Sequence, residues 1–434
     1  MIDANLAIAI GFGVMFLLCA LRVPIGLAMG ASGMLGFSLL AGFRPAFRLV
    51  SHSVIGTFSD YTMGLIPLFI LMGAVAVGSG ISSDLFRAAQ LWLGGLRGGL
   101  ASATVATCGG FAAICGSSAA TAATMTRIAL PEMRRYGYSQ RLATGVIAAG
   151  GTLGIMIPPS IALAVYGLLT QQSLGLLFVA AIVPGIVAIG FYIATVRIWL
   201  WLRPGDAPDG LSAPMRERFA SLPRLAPIIL LFMLVIGGLY GGLFTPTEAG
   251  AIGAAGSIII AFTLRDFSFE RLLVALKESV RTAAAILTIL AGAILFGYFL
   301  TITQTPQKVA AFLIAADLGA YGTLAVILIV MLLLGCVMDE MAVVIVTVPI
   351  IFPIVVQMGF DPVWFGVIVT MTVVVGMIAP PFGLNVFVIK GIARDIGLWE
   401  IYKGVTPFII ADLLRLVLLI AFPSLVMFLP NLMR

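Results

Sequence analysis

The sequence predicts an all-α, polytopic membrane protein built from two repeats of inverted topology. Each repeat holds a re-entrant helical hairpin and a helix broken at a Pro-Pro pair. Three observations predict this. Of the 434 residues, 61% are hydrophobic and 10% charged, with a mean hydropathy of +1.18, which exceeds what a soluble core uses. The stretch Gly154-Ile155-Met156-Ile157-Pro158-Pro159 returns as Gly376-Met377-Ile378-Ala379-Pro380-Pro381. Lysines and arginines gather in short loops on one side of the apolar segments.

The first of these stretches lies inside an apolar run, 142–169, long enough to cross a bilayer. Proline donates no N–H and its ring presses on the carbonyl four residues back, so Pro158 frees the carbonyl of Gly154 and Pro159 that of Ile155. Gly150, Gly151 and Gly154 make an unwound backbone inexpensive at the same place. In hydrocarbon a freed carbonyl needs a partner, so such a break survives only against protein, water or an ion. A pair of mechanical kinks is the plain alternative. The offset of 222 residues argues against it, because it also relates Pro131 to Pro353, Gly137 to Gly359 and Pro24 to Pro246. Paired broken helices in two halves are the best sequence pointer to a secondary transporter's binding site.

In chain order, spans are expected at 5–21, 24–40 and 63–80, with an interfacial helix at 44–58 carrying Arg44, Arg48 and His52. The first span has no basic region before it and no cleavage site after it, so it is not read as a removable signal. Residues 98–130 form two half-length apolar helices around Cys115-Gly116-Ser117-Ser118, the pattern of a re-entrant hairpin. The broken helix 142–169 and a span at 175–202 complete the first repeat, 1–202. Residues 203–224, rich in Pro, Gly, Asp and Arg, read as a cytoplasmic linker. The second repeat, 225–434, holds spans at 225–243 and 247–264 and an amphipathic segment at 269–281. A span at 283–302, a hairpin at about 324–356, the broken helix 363–392 and a last span at 404–429 follow. This layout puts every Lys and Arg, Arg265 included, on the cytoplasmic side except Arg44, Arg48, Lys308 and Arg434, with Arg415 inside the last span. The first hairpin then opens inward and the second outward.

Composition excludes several classes. A single His52 and four cysteines without a CxxC pair leave no histidine-rich metal site, zinc site or disulfide framework. The net charge of +6 belongs to topology, not to nucleic acid. No HExxH, GxSxG or Walker loop is present, so an enzyme is not expected. A channel would not need two closed hairpin tips.

Half-helix N-termini offer N–H groups to an anion, while freed carbonyls and hydroxyls offer oxygens to a small cation. Gly116, Ser117, Ser118, Gly151, Thr152 and Gly154 are candidates for a first Na⁺ cluster, and Asp339, Thr372 and Gly376 for a second. The serines also have the option of bonding back to their own helix. Carboxylates at membrane depth are costly, which singles out Asp339 and Glu340; solvated positions at a shallow tip are the alternative. Ser118, Asn385 and Ser160 are candidate substrate contacts, although Asn385 can equally refill a freed carbonyl. Asp412 and Arg415, three apart on one helix, are expected to pair with each other. Carbonyls do not titrate and the first tip carries only hydroxyls, which favours Na⁺ over H⁺ as coupling ion.

These motifs resemble the large membrane subunit of the tripartite ATP-independent periplasmic (TRAP) transporters, within the wider ion-transporter superfamily. The resemblance rests on Gly116-Ser117-Ser118-Ala119-Ala120-Thr121-Ala122, on Leu130-Pro131-Glu132-Met133-Arg134-Arg135-Tyr136-Gly137-Tyr138, on Gly154 to Ser160 and on Gly376 to Pro381. It covers nearly the whole chain. It implies a Na⁺-driven elevator that imports an organic acid, a small four-helix membrane partner and a periplasmic binding protein that delivers the cargo. It also implies the bacterial inner membrane; Asp3 before the first span and Arg22 after it put the N-terminus in the periplasm, and the charge layout puts the C-terminus there too. No four-helix region precedes residue 1, so the small subunit is expected as a separate chain. Related symporters carry Ser-Asn-Thr at both tips, where this chain has Gly116-Ser117-Ser118 and Asp339-Glu340-Met341. A stand-alone dicarboxylate carrier, possibly H⁺-coupled, is the alternative within transport.

Overall fold

A computed structural model describes residues 3–210, 213–264, 267–315 and 317–433; Arg265 and Arg434 lie outside them. Twenty α-helices and no strands occur among these residues. The first ten are α1 (Ala4–Ala20), α2 (Ile25–Ala41), α3 (Phe43–Ser59), α4 (Leu65–Gly78), α5 (Ile81–Leu93), α6 (Gly99–Cys115), α7 (Ser118–Arg135), α8 (Gln140–Met156), α9 (Ile161–Thr170) and α10 (Leu174–Leu202). The second ten are α11 (Met215–Tyr240), α12 (Pro246–Leu264), α13 (Phe269–Ile302), α14 (Thr305–Ala315), α15 (Gly319–Gly335), α16 (Glu340–Gln357), α17 (Pro362–Ile378), α18 (Leu384–Ile392), α19 (Leu398–Ala421) and α20 (Pro423–Met433). Eight described segments are long and apolar enough to cross a membrane. The 222-residue offset relates the bounds of α7 to those of α16 and the bounds of α8 to those of α17 residue for residue.

The helices sort into two groups. In the outer group, α2 crosses α13, α4 packs on α12 and α13, and α1 lies on α2. A Cβ on Gly292 would sit 2.0 Å from the Gly26 carbonyl oxygen, so two glycines let α2 and α13 touch backbone to backbone. The inner group wraps α6, α7, α10 and α19 around α8, with α15, α16 and α18 on α17. Every residue of α17 from Val363 to Ile378 is buried. A helix apolar on all sides must be covered on all sides, and this one is. Helix α5 joins the groups by packing on α6 and α11, and α14 does so between α13 and α16.

Several expected bounds differ. The interfacial segment 269–281 and the span 283–302 form one helix, the 34-residue α13, because no Gly or Pro lies between Phe269 and Ala291 to end it. At about 51 Å it outruns the hydrocarbon layer. The span 404–429 divides into α19 and α20 because Phe422, held out of helical geometry before Pro423, stops the helix. Helix α11 begins inside the expected linker, at Met215, and tolerates Pro223 and Pro227. Helices α5 and α14 were not expected as separate elements.

Candidate functional site

The first hairpin turns at Gly116, whose φ of +63° is left-handed and suits glycine. Ser117 then caps α7, its hydroxyl accepting from the Ala120 amide at 3.4 Å, and its carbonyl accepts from the Thr121 hydroxyl at 2.8 Å. Capping fits the β-region backbone of Ser117 and the orphan N–H groups that begin α7. Ser118 is fully buried. It donates to the Asn385 side-chain oxygen at 3.1 Å and accepts from its amide nitrogen at 2.8 Å. The same amide donates to the Ala148 carbonyl at 3.2 Å. Asn385 therefore clamps the first hairpin and α8 to α18, a helix that follows the second break.

The glycines of the first broken helix are where this tip lands. A Cβ on Gly154 would lie 2.4 Å from the Ser117 carbonyl oxygen, and one on Gly151 would lie 2.8 Å from the Ala122 Cβ. Ser160 supplies the partner that the freed backbone requires: its hydroxyl donates to the Ile155 carbonyl and caps α9 by accepting from the Leu163 amide. Thr152 faces away from the tip. Its hydroxyl donates to the Ala149 carbonyl and lies 2.8 Å from the Tyr192 hydroxyl. Tyr192 donates to Asp412 at 2.8 Å, and Asp412 pairs with Arg415 at 2.8 Å. All four side chains are buried. The expected Asp412–Arg415 pair is present, with Tyr192 as its third member.

The second tip has the same plan with other chemistry. Asp339 is exposed and caps α16, one carboxylate oxygen accepting from the Met341 and Ala342 amides at 3.0 and 3.2 Å. Glu340 is only 7% exposed, and its Oε2 has no hydrogen-bond partner among the described residues. A Cβ on Gly376 would lie 2.6 Å from the Gly335 carbonyl carbon, so α15 and the second broken helix meet at backbone distance. Thr372 is buried and donates to the Ile368 carbonyl of its own helix. The Pro158–Pro159 and Pro380–Pro381 bonds are both cis.

One open-sided cavity of about 430 Å³ brings these parts together. Ser117, Ala119 and Ala120 of the first hairpin and Asp339, Glu340 and Met341 of the second line it, with Ile161 and Leu384 just after the two breaks. The opposite wall is the outer group: Gly73 and Val77 of α4 and Glu278, Ser279 and Thr282 of α13. Its charged lining residues are Glu278, Asp339 and Glu340, all acidic. Of the residues singled out from the sequence, Ser117, Asp339 and Glu340 face this cavity. Ser118 and Asn385 lie just behind it, Ser160 and Thr152 are engaged within the inner group, and Gly154 and Gly376 are contact points. Sequence reasoning missed the wall from α13. The unbroken run from Phe269 was its available signal, since a helix continuing from the interface into the membrane carries Glu278 and Thr282 with it.

Residues 12–425 match the family described as "Tripartite ATP-independent periplasmic transporter, DctM component". A Pseudomonas aeruginosa protein named "C4-dicarboxylate TRAP transporter large permease protein DctM" is 36% identical over 406 residues, 93% of this chain and 94% of its own length. The "Isethionate TRAP transporter permease protein DctMQ" of Oleidesulfovibrio alaskensis is 32% identical over 98% of this chain, which spans 66% of that longer protein. Among solved structures, the Alcanivorax borkumensis YdaH transporter superposes with a TM-score of 0.65, covering 96% of this chain and 99% of its own. At 15% identity that likeness speaks to the fold alone. The chain belongs to the DctM component family of the tripartite ATP-independent periplasmic transporters.

Proposed function

We propose that this chain carries an organic acid across the bacterial inner membrane by Na⁺ symport. In this reading a periplasmic binding protein hands over the cargo, and a separate small four-helix subunit braces the outer helices. The observation that carries the reading is the cavity, where both hairpin tips and both post-break helices of the inner group face α4 and α13. A site shared between two packed bodies is what alternating access by an elevator movement needs. Its acidic lining supports cation coupling. Like charges about 4 Å apart repel by about 4 kcal/mol at an effective dielectric of 20, so cations at the wall would offset the repulsion that a carboxylate cargo meets there. The names of the C4-dicarboxylate and isethionate relatives support an acidic solute.

In proteoliposomes with the small subunit and loaded binding protein, uptake is expected to follow a Na⁺ gradient at fixed pH, with more than one Na⁺ per solute. Ser117→Ala and Asp339→Ala are each expected to raise the Na⁺ concentration for half-maximal uptake. Full uptake driven by a pH gradient without Na⁺ would overturn the ion assignment. It would favour H⁺ coupling, for which the buried Glu340, whose Oε2 has no hydrogen-bond partner among the described residues, is the natural proton site. Robust uptake by the isolated chain would instead favour the second reading, a stand-alone carrier. Inverted topology has its own test. Single cysteines placed in the 131–141 and 357–362 loops are expected to label from opposite faces of the membrane, and labelling from one face would end it.

A further inference from the structure

A second cavity, of about 540 Å³, shares no lining residue with the first and lies between α10 and α19. On α19 the residues Lys403, Thr406, Pro407, Ile410, Ala411 and Leu414 line it, and on α10 the residues Thr195, Ile198, Trp199 and Leu202. Both sets follow the three-and-four spacing of a single helix face, so two faces form a groove. Its ends differ. Arg141, Arg203 and Lys403 stand at one end, and Ile410 and Leu414 at the other.

The charges at that end do not cancel. Glu400 serves both Arg141 and Lys403, and Asp206 accepts from the Trp199 indole at 2.7 Å, which leaves three cations against two acids. Arg203 has no ion-pair partner among the described residues and lies over the Trp199 ring, 5.5 Å from its centre. The groove is open at its side, with Ile198 58%, Leu202 65% and Leu414 59% exposed. From Lys403 to Leu414 a helix rises about 16 Å, close to half the hydrocarbon thickness of about 30 Å. A cationic head and an apolar trough one leaflet deep match the two parts of a phospholipid.

We propose that the α10–α19 groove binds an anionic phospholipid. Its phosphate sits between Arg203 and Lys403, and one acyl chain lies along Ile198, Leu202, Ile410 and Leu414. A net positive pocket between membrane helices selects such lipids over zwitterionic ones. Both helices belong to the inner group, so the lipid is carried on the body that also holds the hairpins.

The test is lipid retention by the full chain, read by native mass spectrometry after incubation with equal phosphatidylglycerol and phosphatidylethanolamine. Phosphatidylglycerol is expected to exceed phosphatidylethanolamine by about tenfold, and the Arg203→Gln/Lys403→Gln pair is expected to bring the two to parity. Ile410→Trp fills the trough without touching the cations, and is expected to lower retention of both lipids. Neither variant touches the tip cavity, so Na⁺-dependent transport can fail while this proposal stands, and the reverse. Equal retention by the unsubstituted chain, an unchanged preference in the double variant, or displacement by inorganic phosphate alone would overturn it. So would photocrosslinking from position 414 that captures the small subunit instead of lipid.

Discussion

The two hairpin tips share a backbone design and differ in what they leave open. Each has a polar N-cap, Ser117 or Asp339, followed by a buried first helical residue, Ser118 or Glu340. Each hairpin meets its broken helix at a glycine, Gly154 or Gly376. At the first tip every named polar group is answered inside the protein: Ser118 by Asn385, and the Ser117 carbonyl by Thr121. At the second, Glu340 keeps an oxygen without a partner beside the cavity. A buried polar group without a partner is costly. The first tip is thus closed by its own helix and by α18, whereas the second gains most from a ligand.

The largest effects test what the tips share. Gly154→Ala and Gly376→Ala each push a methyl into backbone at 2.4 and 2.6 Å, so the tip must move. Each is expected to cost about 1–3 kcal/mol of stability and to cut uptake at least about tenfold, measured by thermal melting and by proteoliposome flux. A wild-type melting profile in either variant would separate the two tips at the level of packing.

The next pair tests what they do not share. Ser118→Ala leaves the Asn385 amide short of a partner, a loss of about 1–3 kcal/mol. Glu340→Gln removes charge without breaking a hydrogen bond of Oε2, so stability is expected to hold. Its half-saturating Na⁺ concentration is expected to rise about tenfold, the equivalent of 1.4 kcal/mol. If Glu340→Gln melts early and Ser118→Ala does not, the contrast between a closed and an open tip is reversed.

The smallest effect concerns the caps. Replacing the cap in Ser117→Ala is expected to cost less than in Asp339→Ala, because the serine accepts one amide at 3.4 Å and the aspartate accepts two at 3.0 and 3.2 Å. Both losses are expected within about 0.5–2 kcal/mol, read from melting of the single variants.

The same contrast shows where reading the sequence stopped. Gly116 and the Pro-Pro pairs announce their geometry through backbone chemistry that few other residues supply. For that reason α7, α8, α16 and α17 fall close to their expected places. The roles of Thr152 and Ser160 were not legible. A buried hydroxyl takes whichever acceptor the fold brings near, and here these are Tyr192 and the Ile155 carbonyl. Asp339 and Glu340, adjacent in sequence, are singled out together and only Asp339 is expected as an ion ligand, yet helix α16 leaves Asp339 exposed and buries Glu340.

By itself the sequence determined that this chain lives in a bilayer, that it breaks two helices at Pro-Pro pairs, and that polar tips stand before them. Apolar length, proline's missing N–H and glycine's freedom at positive φ act locally, so the residues alone suffice. Tertiary structure decided that Asn385, far along the chain, would close the first tip. It also decided that Glu340 would face Glu278 and Thr282 of α13 across one cavity, and that Asp412, Arg415 and Tyr192 would form a buried network behind Thr152. Those contacts join residues whose types allow many partners, and only the packing of α7, α8, α13, α16 and α18 against one another selects which partner each one meets.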